Sequence, residues 1–323
     1  MIKVEWAYWL AAALFALAGL MRLRDDDAKR FGSGAFWILL AFTFVYGSWV
    51  VDGSGNAMIE GIAVIVLALL AGAGFPTKGS ERTTSDAERG KLAERFGWKI
   101  FVPALLIPLV AVVIGRWGSN VKFGGNALFE IKQEALIGLA IGAIVALTGA
   151  MLLVRERHLD VPFREGNRLL GSIGWAAILP QFLATLGVLF TQAKIGDAVG
   201  DLVHKVLPNG QVFLAVVVYC VGMFVFTVIM GNAFAAFPVM TAAIGWPVLV
   251  QQFDGNPPAI FAVGMLAGFC GTLCTPMAAN FNLVPAALLE LKDQYGPIKA
   301  QIPTAIPLLA CNIAIMYLWC IPR

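Results

Sequence analysis

Three consecutive pieces decide the reading: Met223–Val250, MFVFTVIMGNAFAAFPVMTAAIGWPVLV; Gln251–Pro258, QQFDGNPP; and Ala259–Asn282, AIFAVGMLAGFCGTLCTPMAANFN. The stretch is apolar enough for a bilayer, yet Gly, Asn, Pro and Thr interrupt it where an ordinary spanning helix carries Leu and Val. In hydrocarbon every backbone N–H and C=O needs a partner, so non-helical backbone survives only inside protein or along a wet cavity. Apolar segments broken by Gly and Pro therefore point to a binding site at membrane depth.

The whole chain shares this character. Of its 323 residues 59% are hydrophobic and 13% charged, and mean hydropathy is +0.80. That is more apolar surface than one water-soluble core buries, so the expected fold class is an all-α polytopic membrane protein with about 8–9 transmembrane helices. Several windows reach the roughly 20 apolar residues that a hydrocarbon core demands. The first, Val4–Met21, is followed by Arg22 and Arg24 and reads as a retained span, not a cleaved signal peptide. The net charge of +3 sits in loops and gives no case for nucleic acid. The five cysteines (Cys220, Cys270, Cys274, Cys311, Cys320) lie in apolar windows without metal or redox spacing, and are read as packing residues. His158 and His204 form no paired-ligand pattern, so no metal site and no resident cofactor are expected.

Working outward to the N-terminus, further spans are expected at about Ser33–Val51, Ala57–Phe75, Ile100–Gly115 and Ala135–Val154. In the last, Gly138, Gly142 and Gly149 offer close helix contacts. Glu60, near the start of the third span, reads either as an interfacial carboxylate or as a proton or cation site. Ser85-Asp86-Ala87-Glu88 opens a short surface helix within the polar stretch Pro76–Lys99. Loops Arg22–Arg30, Lys78–Lys99 and Arg155–Arg168 hold four, six and four Lys or Arg; the N-terminus, the Asp52 turn and Arg116–Lys132 hold one, none and three. The first set is therefore expected on the cytoplasmic side.

After Arg168, Leu169–Phe190 carries Pro180 and Gln181, and a kink near Ile178 is expected because proline removes a backbone hydrogen bond. Gln181 is then placed to face a polar interior, or to bond a neighbouring helix. Ile195–Leu207 reads as an amphipathic interfacial helix, with Ile195, Val199, Leu202 and Val203 on one side and Asp197, Asp201 and Lys205 on the other. A span at about Phe213–Met230 follows.

Gly231-Asn232 closes that span. Ala233–Val250, with Pro238 at its middle and Gly245-Trp246-Pro247 near its end, is expected to form a re-entrant hairpin whose tip presents helix N-termini to an anion. Asn232 and Thr241 supply neutral donors there. Ala259–Leu273 runs into Cys274-Thr275-Pro276, a natural break, with Pro276 expected in the first turn of a second half-helix, Met277–Leu291. Thr272 precedes the break, and Asn280 and Asn282 are expected on the second half. Such amides and hydroxyls coordinate Na+ through oxygen or hydrogen-bond a substrate; singly, each reads as helix–helix glue. A final span, Pro303–Trp319, ends the chain.

The strings FTVIMGNAFAAFPVMTAAIG, GMLAGFCGTLCTPMAANFNLVPAALLEL and KAQIPTAIPLLACNIAIMY resemble a bacterial membrane family catalogued as a domain of unknown function. Its members are commonly identified as the larger subunit of a two-component 5-oxoproline transporter, beside a smaller membrane subunit. The chain is also similar to halves of the ion-transporter superfamily of gluconate and dicarboxylate carriers, which pair two hairpin-plus-broken-helix units where this sequence offers one. The resemblance implies a membrane subunit of a secondary transporter for a small organic anion, 5-oxoproline, coupled to Na+ or H+. It implies a partner, the smaller subunit or a second copy, in the bacterial cytoplasmic membrane. On that view residues 1–155 are a helical scaffold and 156–323 a transport unit. Substrate and ion would meet Gly231, Asn232, Thr241, Thr272, Thr275, Asn280, Asn282 and Gln181.

Two other classes remain as alternatives: an accessory or scaffolding subunit without its own substrate site, and an intramembrane enzyme or sensor. For the last, Cys270, Cys274 and Glu60 lack a neighbouring His or second carboxylate. No GxxxxGK[ST] loop is present to bind a nucleotide.

Overall fold

The computed structural model describes residues 1–79, 85–124, 126–206 and 210–322, and it is helical nearly throughout. Among these residues eight helical runs are long and apolar enough to cross a membrane: Val4–Leu23, Arg30–Val51, Ala87–Asn120, Glu134–Val154, Val161–Gln192, Val212–Met230, Ala233–Gln252 and Gly296–Cys320. Ala57–Gly72 and Pro257–Thr272 are shorter apolar helices. The chain is a multi-pass membrane protein by length and composition, and it separates into two compact units, Met1–Gly174 and Trp175–Arg323.

The first unit comprises α1 (Val4–Leu23), α2 (Arg30–Val51), α3 (Ala57–Gly72), α4 (Asp86–Phe96), α5 (Phe101–Trp117), α6 (Glu134–Val154) and α7 (Val161–Ile173), with a two-residue ladder between Lys122–Phe123 and Asn126–Ala127. Helix α4 starts where the polar pattern placed it. The Ser85 hydroxyl accepts from the Glu88 backbone N–H while the Glu88 carboxylate accepts from the Ser85 N–H, a reciprocal cap that satisfies two orphan donors. Helices α1 and α2 pack along each other, as do α5 and α6. Lipid tails are as apolar as leucine, so such pairs are held by close backbone approach, not by exclusion from water. A Cβ on Gly138 would lie 2.9 Å from the Ala111 Cα, and one on Gly142 2.8 Å from the Ile107 carbonyl oxygen. The glycine face of α6 is therefore the packing face.

The second unit comprises α8 (Leu179–Gln192), α9 (Ile195–Val206), α10 (Val212–Met230), α11 (Ala233–Met240), α12 (Pro257–Thr272), α13 (Leu283–Leu288) and α14 (Gly296–Ile315). Tyr219, Cys220 and Met223 of α10, Met240 of α11, Ile260 of α12 and Met316 are fully buried together. A short 3-10 segment, Gly174–Ile178, precedes α8, and Pro180 sits in the first turn of α8, where its missing N–H costs no helical hydrogen bond. In α9, Ile195 and Val199 are half-buried while Asp197 and Asp201 are exposed. The side chains of Leu202, Val203 and Lys205, and residue Leu207, lie outside the described residues.

Two expectations for the central stretch need correction. Ala233–Val250 does not turn back on itself. It is one continuous helical run to Gln252, α-helical to Met240 and π-helical from Thr241. A prolyl ring inside an α-helix clashes with the carbonyl four residues earlier; the wider π turn carries Pro247 without ending the helix. The second half-helix is also shorter than Met277–Leu291. Helix α12 ends at Thr272, helix resumes only at Leu283, and Asn280 and Pro276 lie in the turns between while Asn282 is the residue before α13.

Candidate functional site

Gly231 ends α10 with φ +71°, a left-handed conformation that glycine adopts without penalty. Asn232 follows in extended conformation and caps α11, its side-chain oxygen accepting from the Phe234 N–H at 2.9 Å. That bond uses one of the orphan donors of α11, so Asn232 acts first as a cap and contributes donors through its amide nitrogen alone. Gly231 lies so close to the α12–α13 connection that a Cβ on it would sit 2.6 Å from the carbonyl carbon and oxygen of Met277.

The connection itself, residues 273–282, is a chain of tight turns held by side chains. The Thr275 hydroxyl donates to the Val228 carbonyl of α10 at 2.8 Å and accepts from the Met277 N–H at 3.2 Å. The Asn282 amide nitrogen donates to the carbonyls of Thr272 and Thr275 at 2.9 and 2.6 Å. The Thr272 hydroxyl turns back onto the Phe269 carbonyl at 2.6 Å. These bonds replace the missing helical ones, which is what lets irregular backbone persist inside an apolar chain.

In front of the connection lies a cavity of about 200 Å³ lined by Gly231, Asn232, Thr272 and Asn280, by the rings of Phe234, Phe269 and Phe281, and by Leu179, Pro180, Leu183, Ala278 and Ala279. Phe234 and Phe269 meet edge to face, ring centroids 5.9 Å apart. No ionisable side chain lines it, so charge can be met there only by backbone dipoles, amides and a hydroxyl. Four of the eight residues expected at the site thus share one cavity wall. Thr275 and Asn282 sit behind it as braces. Gln181 neighbours the lining residue Pro180 but is not in the wall, and Thr241 lies elsewhere, 3.5 Å from the Tyr219 hydroxyl.

The apolar wall escaped sequence reasoning, although Phe234 and Phe281 flank the two asparagines closely enough to have signalled it. Thr227 was also missed. Set in the apolar helix α10, it is fully buried, its hydroxyl oxygen has no hydrogen-bond partner, and it lies against Gly268 and Gly271 of α12. A larger cavity, about 370 Å³, opens in the first unit between α1, α6 and α7; its lining is aliphatic and aromatic apart from Asn167, which offers little to orient a polar ligand. Among the described residues no three His, Cys, Asp or Glu side chains group as metal ligands.

Residues 5–321 match the family model described as "Protein of unknown function (DUF979)". No curated protein and no solved structure matches the chain.

Proposed function

The chain belongs to the DUF979 family, and from that premise we propose that it is a membrane subunit of a secondary transporter for a small organic anion, with 5-oxoproline as the candidate substrate. The observation that carries the reading is the cavity of about 200 Å³ set against the interrupted helix, where Gly231, Asn232, Thr272 and Asn280 meet. Unwound chain with neutral amides beside a cavity suits a site that binds and releases its ligand. Its aromatic and aliphatic wall suits the methylene face of a compact lactam ring. Its neutral donors suit a single carboxylate held weakly enough to leave. A citrate-like anion with several charges would lack compensation among these groups.

In this reading the driving force is Na+ or H+, the location is the bacterial cytoplasmic membrane, and the working assembly includes a smaller membrane subunit or a second copy of the chain. The protein binds and moves its substrate and performs no chemistry on it.

Reconstitution into proteoliposomes with the partner subunit tests this. Labelled 5-oxoproline uptake is expected to fall at least about tenfold in Asn232→Ala and Asn280→Ala, the loss of one well-placed donor being worth about 1.4 kcal/mol or more. Undiminished uptake in both variants removes the proposed site. Uptake by the partner alone assigns the chain an accessory role instead.

A further inference from the structure

Asn282 is fully buried, and both N–H donors of its amide are committed, one to the Thr272 carbonyl at 2.9 Å and one to the Thr275 carbonyl at 2.6 Å. Those bonds also fix which end of the carboxamide is which, since turning it over would set its oxygen against two carbonyl oxygens. The amide oxygen is therefore an acceptor with two lone pairs, buried, and without a hydrogen-bond partner. Leaving such an atom unsatisfied costs about 1–3 kcal/mol.

Several features make a cation the fitting partner. Thr272 closes a sixteen-residue helix, whose C-terminal end carries partial negative charge. The Thr272 and Thr275 carbonyls each accept one bond from Asn282 and keep a second lone pair. The sequence supplies no Lys or Arg anywhere from Met223 to Leu291 that could serve as an internal counter-charge. Unwound carbonyls at a half-helix C-terminus are the arrangement by which membrane carriers hold Na+. The donor set is neutral oxygen only, which suits a hard monovalent ion and not a transition metal.

We propose that the side-chain oxygen of Asn282 is a ligand of a buried Na+ at the end of α12, immediately behind the cavity wall formed by Thr272. This deepens the transport reading, since the ion would be its coupling ion, but it is tested without substrate or uptake. The melting temperature of the purified protein in detergent is followed at constant ionic strength in NaCl, KCl and choline chloride. A ligand that binds only the folded state raises stability in proportion to the logarithm of its concentration above Kd. The expected result is a rise that grows with NaCl, is absent in choline and is smaller in KCl. In Asn282→Ser, which removes the amide oxygen, the Na+-dependent rise is lost while the melting temperature in choline persists or falls. Equal melting in all three salts for the unaltered protein overturns the proposal whether or not the variant folds. So does an undiminished Na+ response in Asn282→Ser. Either failure leaves proton-driven transport through the same cavity standing.

Discussion

The guanidinium of Arg22 donates to the main-chain carbonyl of Asn167 at 2.8 Å, joining residues 145 apart in sequence. Arg22 is only 1% exposed and also reaches the Asp25 carboxylate at 3.3 Å, so the end of α1 is tied at once to its own loop and to α7. Removing one member of a buried charged pair strands the other and costs about 3 kcal/mol or more. Arg22→Ala is therefore expected to lower the melting temperature of the detergent-solubilised protein strongly. Arg22→Lys should recover part of the loss, keeping charge but not the planar fork that serves two acceptors. Equal losses in the two variants would show that the charge alone contributes nothing and that the planar fork carries the tie.

Asp27, in the α1–α2 loop outside the apolar helices, accepts from the Lys29 N–H at 3.0 Å and from the Thr77 hydroxyl at 2.5 Å. The Lys29 bond first, and the Thr77 bond second, hold its carboxyl below the ordinary value of 3.8. A depressed folded-state pKa adds stability above the unfolded value, and that stability disappears as pH falls through the folded one. The unaltered protein should therefore exceed Thr77→Val in stability at neutral pH, with the gap closing as acid protonates Asp27 below the usual aspartate range. A gap independent of pH between 3 and 7 would remove the carboxylate from the account; melting in a buffer series measures it.

The glycines of α6 are not equivalent. A Cβ at Gly142 meets Ile107 main-chain atoms at 2.8 and 3.1 Å, whereas one at Gly149 meets only the tip of Leu106 at 3.2 Å. Main chain cannot step aside as a leucine methyl can, and overpacking typically costs about 1–3 kcal/mol. Gly142→Ala should lower stability by an amount in that range, and Gly149→Ala by much less, read as the difference in melting temperature between two otherwise identical preparations.

Much of this architecture was legible because hydrocarbon permits so few backbone solutions. Apolar length located the spans, and Cys274-Thr275-Pro276 marked a stretch that is not helical. What escaped was whatever depends on one distant partner. Arg22 counts as a loop cation in a charge tally, and nothing local announces that the Asn167 carbonyl will draw it inside. Pro238 and Pro247 read as breaks, yet both lie within one helical run, Pro238 in its α-helical part and Pro247 in its π-helical part. Asn280 and Asn282 were placed on a helix, although Asn282 bonds twice to the preceding carbonyls and so holds the chain in turns. At the cavity, the polar members were found by their oddity in apolar sequence; its aromatic wall was not, since Phe is unremarkable there.

Gly231 and Gly222 separate backbone strain from simple crowding. Gly222 sits within α10, and its added Cβ would touch only the flexible end of Met240, at 2.3 Å from Cε and 3.3 Å from Sδ. Gly231 combines a left-handed φ of +71° with the Met277 main chain at 2.6 Å. Alanine at the first position asks a thioether to choose another rotamer. Alanine at the second must bear about 1–2 kcal/mol for the left-handed backbone and also push the α12–α13 connection away from α10, loosening the wall that carries Thr272 and Asn280. Gly222→Ala should thus leave uptake near that of the unaltered protein, while Gly231→Ala should lower both melting temperature and uptake, with the loss of uptake persisting at temperatures where the variant remains folded. If uptake in Gly231→Ala recovers fully once folded protein is equalised, the close approach of Gly231 to Met277 serves stability alone and does not shape the cavity.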